Sequence, residues 1–577
     1  MKPNNPVIAG GEKLMTAGKI TSRENESQFR ASSFLISAAA GLTLIFLATS
    51  SDYFWNDGKT FLNAKFCLPL AAGFALALFG SLINTRWSSF AGWTALALTG
   101  QAASLQMVDA GRLIHFQHYR SFGEILDKDV LSLIFFALQI SLVAVGISKR
   151  FSIIKAWLAR TFKVWQLILA GLFLMFSGAA VTPNVSIYTT SILIAAVVQT
   201  VNLANIILLV WSVPQESLDR LKRFVGSFFD ESESKKSRLD GFSLLAALWT
   251  ISLAATLSYF VYENHPHVPD EVQYLFQAKY LAAGQLTVKA PPVPEAFATY
   301  MIPEREAFWF GIFPPAFPLM LAVGVKLNAV WLVNPILAGL GVLLAYLFFQ
   351  EIYSRRFARI AVVLLCCSPW FIFMAMSFMS HVFTLVCALG AAVLLGKAFK
   401  NQKIIYVFGA GLAVGIVYLT RPLDGAIIAV LMGAWTLFGF STLKAKFTNV
   451  PVLAGATLAT VALIFPYNSA VTGSATLSPS DAYYTNYFPE GVMSLGFGAN
   501  RGFHWDLDAF PGHSPLEAVV NAALNTFLLN TELFGWACGS LILIVAFTFA
   551  GAFRKKDWWA FAVIAVVVFG YSFFIKC

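Results

Sequence analysis

Apolar runs free of charge recur along nearly the whole chain, at 31–49, 66–85, 87–108, 130–148, 164–215, 241–262, 327–350, 360–396, 404–420, 425–443, 449–480, 533–553 and 558–575. A bilayer core about 30 Å thick needs roughly 20 apolar residues of helix, and most of these runs meet that length. Two are too long for one crossing. The run 164–215 is divided at Thr182-Pro183-Asn184, and 360–396 carries Pro369 and His381, so each reads as a helical pair. The pattern predicts roughly 15 membrane-spanning helices.

The polar positions between the runs set the orientation. Lys149, Arg150, Lys155, Arg160 and Lys163 share the loop 149–163 with no acid. Further basic clusters are Arg355, Arg356 and Arg359, then Lys397, Lys400 and Lys403, then Lys444 and Lys446, then Arg554, Lys555 and Lys556. With alternating spans all of these fall on one side, the cytoplasmic one by the positive-inside bias. The other side receives two long acid-rich loops, 263–316 and 469–532. Residues 1–30, with Lys2, Lys13, Lys19, Arg23 and Arg30, are too polar for a signal peptide and read as a cytoplasmic tail. Span 31–49 is expected to serve as an uncleaved anchor.

One shift in composition divides the chain. Residues 212–240 mix acid and base around Leu218, Leu221, Phe224, Val225 and Phe228 at helical spacing. They read as an amphipathic helix on the cytoplasmic surface and a polar linker. The linker joins a transmembrane bundle at 31–211, of about six spans, to a second at 241–577, of about nine.

Of the 577 residues, 58% are hydrophobic and only 12% charged, about half the charged share of an ordinary soluble domain. That excludes soluble, fibrous and disordered classes and makes the chain an all-α polytopic membrane protein. The net charge of +10 belongs to short loops at span ends, so it reports topology and not nucleic-acid binding. The six cysteines lie in or beside apolar runs, and no Cys/His spacing suggests a metal site. His115 and His118 lack a third ligand nearby.

The first long loop carries the most chemistry. Pro269-Asp270 sets a helix start, Val272, Leu275, Phe276 and Tyr280 make one apolar face, and Gly284 is a natural stop. Asp270 and Glu271 then begin a short helix lying on the membrane. Two readings stay open: Asp270 as a helix cap with Glu271 as a first-turn acid, or a carboxylate held at the water–lipid boundary to take a proton from an acceptor hydroxyl.

PDEVQYLFQAKYLAAGQL, FPPAFPLMLAVG, SPWFIFMAMSFMSH, LTRPLDGA, YNSAVTG and FGANRGFHWDLDAFPGHSPLEAVVNAALN follow one another in that order. Over about 241–575 this succession resembles bacterial membrane glycosyltransferases of the GT-C fold, similar to protein O-mannosyltransferases and the aminoarabinose transferase of lipid A. The resemblance does not extend to 1–240. It implies a GT-C-like helical bundle in a bacterial inner membrane and a polyprenyl-phosphate-linked sugar as donor. It also implies a lipid, glycan or protein acceptor outside the cytoplasmic membrane, and a first-loop Asp as catalytic base. Asp270 matches that position and Glu271 completes the acidic pair. The chain departs from the pattern at Pro314-Pro315-Ala316, where the family has Pro-Pro-Gly. It also ends at Cys577, without the extracytoplasmic segment such enzymes often carry, which leaves a shortened or inactive relative open.

A departing lipid phosphate needs cationic or dipolar stabilisation. Lys279, Arg421 and Arg501 are the external-side cations, and His381 and His513 are further candidates for donor binding. Arg421 and Asp424 interrupt the stretch 404–443 at i,i+3 spacing, so a structural ion pair at the outer interface stands beside the phosphate reading. Phe308, Trp309, Phe310, Tyr483, Tyr484, Tyr487, Phe488, Phe503 and Trp505 could stack on a sugar or prenyl chain, or simply form an interfacial belt. No cofactor is expected. A lipid or solute transporter and a non-catalytic assembly partner remain the alternatives.

Overall fold

The computed structural model describes residues 88–109, 118–120, 122–128, 130–178, 185–228, 239–297, 300–488, 491–492, 494–501, 512–536, 538–542 and 557–572. The tail 1–30, the runs 31–49 and 66–85, Arg112, His115, Phe503, Trp505, Cys67 and Cys577 therefore lie outside the described residues. Helices dominate, and six are long and apolar enough to cross a membrane, or eight if two bent pairs each count as one span. Four shorter apolar helices accompany them, so the roughly 15 expected crossings are met only in part among the described residues. The chain is a multi-pass helical membrane protein. It divides into two compact units: of the described residues the first takes in 88–226, 526–531 and 536–542, and the second takes in the rest.

The first unit contains α1 (Ser88–Gln106), α2 (Phe122–Lys128), α3 (Val130–Ser148), α4 (Phe151–Thr161), α5 (Val164–Phe176), α6 (Val185–Ser212) and α7 (Gln215–Phe228). It also has a two-residue antiparallel ribbon, β1 (Val108–Asp109) with β2 (His118–Tyr119). Trp93, Leu96, Val143 and Leu208 form its apolar centre. Beside them runs a buried polar seam: Gln139 Nε2 donates to Asn202 Oδ1 at 3.2 Å, Asn202 Nδ2 to Ser104 Oγ at 2.9 Å and Asn205 Nδ2 to the Trp93 carbonyl at 2.9 Å. In hydrocarbon such amides must pair with one another, which fixes the register of α1, α3 and α6. The basic segment expected as loop 149–163 is largely the helix α4, bent 77° from α3 and with no buried residue. Ile153, Ile154, Trp157 and Leu158 give it an amphipathic stripe. In α7 the predicted apolar positions Leu221, Phe224 and Val225 are exposed.

The second unit continues with α8 (Gly241–Phe260), α9 (Pro269–Ala282), α10 (Ala316–Lys326), α11 (Val333–Ile352), α12 (Arg355–Cys366), α13 (Pro369–Met376) and α14 (His381–Asn401). Then come α15 (Ile404–Tyr418), α16 (Pro422–Gly439), α17 (Leu443–Val461), α18 (Ile464–Thr472), α19 (Pro479–Tyr487), α20 (Pro515–Glu532), of which residues 526–531 belong to the first unit, and α21 (Trp558–Ser572). The expected pair in 360–396 is seen as α12 and α13, bent 63° where Ser368-Pro369 starts a new helix, followed by α14. In the first loop β3 (Val288–Lys289), β5 (Phe308–Trp309) and β4 (Glu304–Arg305) form a small antiparallel sheet in the order β3-β5-β4.

Antiparallel packing gives the second unit two distinct polar ends. At one, Asp240 caps α8 by accepting from Ser243 N at 2.9 Å, and its carboxylate also accepts from Tyr346, Arg355 and Arg359 at 2.7–2.9 Å. Lys400 pairs there with Glu351 at 2.6 Å. Burial opposes ionisation of Asp240, but these donors hold its pKa well below the usual carboxylate range. The opposite end carries the first turns of α9, α14 and α16 and the last turn of α21. Between the ends lies the main core of α8, α10, α11, α12, α13 and α14, with Phe317, Leu321, Val342, Tyr346 and Phe378 at its centre.

Candidate functional site

Helix α9 begins with Pro269 at its first position, where the missing N–H costs nothing. Val268 is the N-cap residue and makes no side-chain cap. Asp270 is therefore a first-turn acid, not the cap residue. Its carboxyl is half-buried, and burial raises its pKa, against its own backbone N–H and the charge of Arg421, which lower it. Among the described residues its carboxylate makes no ion pair.

Glu271 lies one residue on and points elsewhere. It is fully buried. Tyr262 Oη donates to both its oxygens, at 3.0 and 3.2 Å. His267 N donates to Oε2 at 2.9 Å and Phe378 N to Oε1 at 3.2 Å. A carboxylate enclosed by three donor groups has no face open to a hydroxyl, so the expected catalytic pairing with Asp270 is not what the geometry offers. Glu271 ties the end of α8 and the entry to α9 to the turn before α14.

The buried face of α9 is mainly polar. Glu271, Gln273, Tyr274, Gln277, Ala278 and Tyr280 point into the protein, while Val272 is 40% exposed. Helix positions facing lipid gain by being apolar, so the polar side turns inward. Tyr274, four residues after Asp270 and on the same face, donates to or accepts from Ser380 Oγ at 3.0 Å. Burial pushes its hydroxyl pKa up to about 12, so it stays protonated. Lys279, nine residues from Asp270, is rotated by about half a turn from it and is exposed, so α9 does not bring these two together.

Arg421 is the hub. It precedes α16, whose first residue is Pro422. Its Nε donates to Asp424 Oδ2, its Nη1 meets His381 Nε2 at 3.3 Å and its Nη2 donates to Tyr571 Oη at 3.2 Å. Tyr571 in turn donates to Asp424 Oδ1 at 2.6 Å. The i,i+3 ion pair expected from spacing is present, and it is embedded in a cluster. His381 is drawn into this cluster by its place at the start of α14, beside Ser380.

The other predicted donor-binding residues belong to the second loop. Arg501 donates to the Leu495 carbonyl within that loop. His513 is buried, bridges by backbone to Gly498 and lies 3.6 Å from Glu517. Tyr483 and Tyr484 are also buried, packed with Ile312 and Val492 and against Met301, Phe313 and Phe488, so they join the two loops and do not present free stacking faces. Phe310 is buried against Tyr467 and Val471, whereas Phe308 and Tyr487 are exposed.

Sequence reading missed Tyr274, Ser380 and Tyr571. Tyr274 was accessible from its i,i+4 spacing to Asp270. Tyr571 had no such signal, because it is 147 residues from its partner Asp424. Among the described residues no three His, Cys, Asp or Glu side chains are placed to hold a metal ion.

Comparison with known proteins adds a partial likeness. No family model matches the chain. A Bacillus subtilis protein described as "Putative mannosyltransferase YkcB" is 31% identical over 193 residues. The match takes in 33% of this chain and 24% of that relative, so the chain spans about a quarter of its length. Among solved structures, the oligosaccharyltransferase of Archaeoglobus fulgidus in its apo form is similar over 56% of this chain and 50% of its own, with 15% identity and a TM-score of 0.25.

Proposed function

We propose that the chain is an integral membrane glycosyltransferase of GT-C type that moves a sugar from a polyprenyl-phosphate donor to an envelope acceptor on the extracytoplasmic face. The observation that carries this reading is one constellation. A half-buried carboxylate without an ion-pair partner among the described residues, Asp270, lies within the electrostatic reach of a guanidinium, Arg421, at the end of the second unit opposite its basic clusters. The similarity to the Bacillus subtilis protein and the ordered motifs of residues 241–575 support it.

In this mechanism the acceptor hydroxyl attacks the anomeric carbon while its proton passes to the Asp270 carboxylate. The bond from that carbon to the phosphate oxygen breaks, and the electron pair leaves with the polyprenyl phosphate. Burial holds the Asp270 pKa above the ordinary carboxylate value, which makes it a stronger base than an exposed Asp. Arg421 has five N–H donors, of which three are engaged with Asp424, His381 and Tyr571. Among the described residues two are left for phosphate oxygens, at a place where charge grows as the bond breaks. Glu271 has a positioning role, holding the first turn of α9 against the turn before α14.

The test uses the purified protein in lipid nanodiscs, polyprenyl-phosphate sugars as donors and envelope lipid extracts as acceptors. Transfer of a labelled sugar is expected; its absence across hexosyl and pentosyl donors removes the reading. A cysteine placed at the exposed Gln285 reports the side. An impermeant thiol reagent should label it in intact cells, and labelling only after permeabilisation refutes the orientation.

A further inference from the structure

Helix α21 approaches α16 closely at Gly570. A Cβ there would come within 2.5 Å of Ile427 Cδ1, the flexible end of a side chain on α16, so the two helices lie close at this point. The next residue is Tyr571, and this approach delivers its hydroxyl to the ion pair at the start of α16. Its Oη donates to Asp424 Oδ1 at 2.6 Å and accepts from Arg421 Nη2 at 3.2 Å. Arg421, Asp424 and Tyr571 thus form a closed triangle in which one hydroxyl touches both charges.

We infer that Tyr571 is a positioning residue for binding of the sugar donor's phosphate by Arg421, which makes the helix at 558–572 part of the donor site; this rests on the glycosyltransferase reading above. Two physical consequences follow from the triangle. By occupying an Asp424 oxygen, Tyr571 reduces the share of that carboxylate's charge directed at the guanidinium, which stays available to a second anion. By accepting from Nη2 it also fixes the plane of the guanidinium. The two unused N–H groups then keep one direction, and a bidentate phosphate contact depends on that direction. Tyr571 itself touches no substrate in this scheme.

The experiment measures binding of polyprenyl phosphate and donor kinetics for wild type, Tyr571→Phe and a variant carrying 3-fluorotyrosine at 571. The phenylalanine keeps the ring and removes the hydroxyl; the fluorinated ring keeps shape and hydroxyl but makes it a poorer acceptor. Loss of a hydrogen bond to a charged group predicts about tenfold weaker polyprenyl-phosphate binding and about tenfold higher donor KM for Tyr571→Phe. Acceptor KM should stay within about twofold, and the fluorinated variant should show a smaller change in the same direction at unchanged melting temperature. A merely structural tyrosine would lower the melting temperature without moving donor KM. If wild type binds polyprenyl phosphate and neither variant alters affinity or donor KM, the positioning role is overturned while the donor reading stands. If wild type itself binds none, both fall. Should Tyr571→Phe fail to fold, the fluorinated variant decides alone, and an unchanged donor KM in it overturns the proposal.

Discussion

Replacing Asp270 by Asn separates chemistry from structure at the centre of the site. Asp270 is in the first turn of α9 but is not its cap residue, and it makes no ion pair among the described residues. Removing its charge forfeits a favourable interaction with the helix N-terminus, about 0.3–1 kcal/mol, and the attraction to Arg421. An amide oxygen can still accept from the residue's own N–H. Relief of the burial penalty that raises the Asp270 pKa opposes these losses, so stability should change by no more than about 1 kcal/mol. The catalytic loss is of another size: removing a general base lowers rate by about 10²–10⁴-fold, or about 3–5 kcal/mol of transition-state stabilisation. The assay is sugar transfer by purified Asp270→Asn, with melting temperature measured on the same sample. The pH profile adds a second readout. A base whose pKa is raised by burial gives wild-type kcat/KM an acid limb above the ordinary Asp value of about 4, and the variant should lack that limb. Near-wild-type turnover in a folded Asp270→Asn refutes the mechanism. Glu271→Gln is the contrasting variant. It puts an amide NH₂ among three donors, so it should lower melting temperature markedly, by about 2–4 kcal/mol of stability. Its acid limb should stay where wild type has it.

Two further outcomes are expected. Asp240→Asn leaves Arg355 and Arg359, 24% and 13% exposed, without their anion, and should cost about 2–4 kcal/mol near neutral pH. Because the folded-state pKa of Asp240 is depressed, its contribution is present above the unfolded value of about 4 and is lost as pH falls below that. Melting curves of wild type and variant should therefore converge in acid, and a pH-independent gap would contradict this. In the hairpin between β4 and β5, Glu306 and Ala307 both adopt left-handed backbone, with φ of 52° and 64°. A two-residue turn of that type favours Asn-Gly, so Glu306→Asn with Ala307→Gly should stabilise the loop by about 1 kcal/mol, read as a higher melting temperature.

Much of the framework was legible because span length and charge placement are direct consequences of the bilayer. The helix at 241–260 falls within a predicted apolar run, those at 333–352, 381–401 and 422–439 overlap theirs and extend two to five residues beyond, and the bend at Ser368-Pro369 lies where proline predicts it. Rotation of a helix about its axis was not legible. The apolar positions Val272, Leu275, Phe276 and Tyr280 mark α9 as a helix lying on a membrane but do not say which side chains turn into the protein: Tyr280 is buried with the polar residues, while Val272 is exposed. In a membrane protein the solvent of an exposed face is lipid, so apolar residues gain nothing by turning inward, whereas Glu271, Gln273 and Gln277 do.

The same physics explains which site residues sequence reading could reach. Asp270, Arg421 and Asp424 stand out because charge is rare in apolar surroundings and is therefore conspicuous. Lys279 and Arg501 were equally conspicuous, yet each has a local explanation: one is an exposed cation at the last turn of α9, the other is bound within its own loop. Tyr274, Ser380 and Tyr571 are ordinary in composition, and only packing distinguishes them. The Tyr571 hydroxyl satisfies two charges and those of Tyr274 and Ser380 satisfy one another, each recruited from whichever segment passes closest. For α21 that closeness is seen at Gly570 beside Ile427, and no spacing rule along the chain connects it to Asp424. The charged centre of such a site can be found from sequence, whereas the groups that orient it become visible only when the helices are assembled.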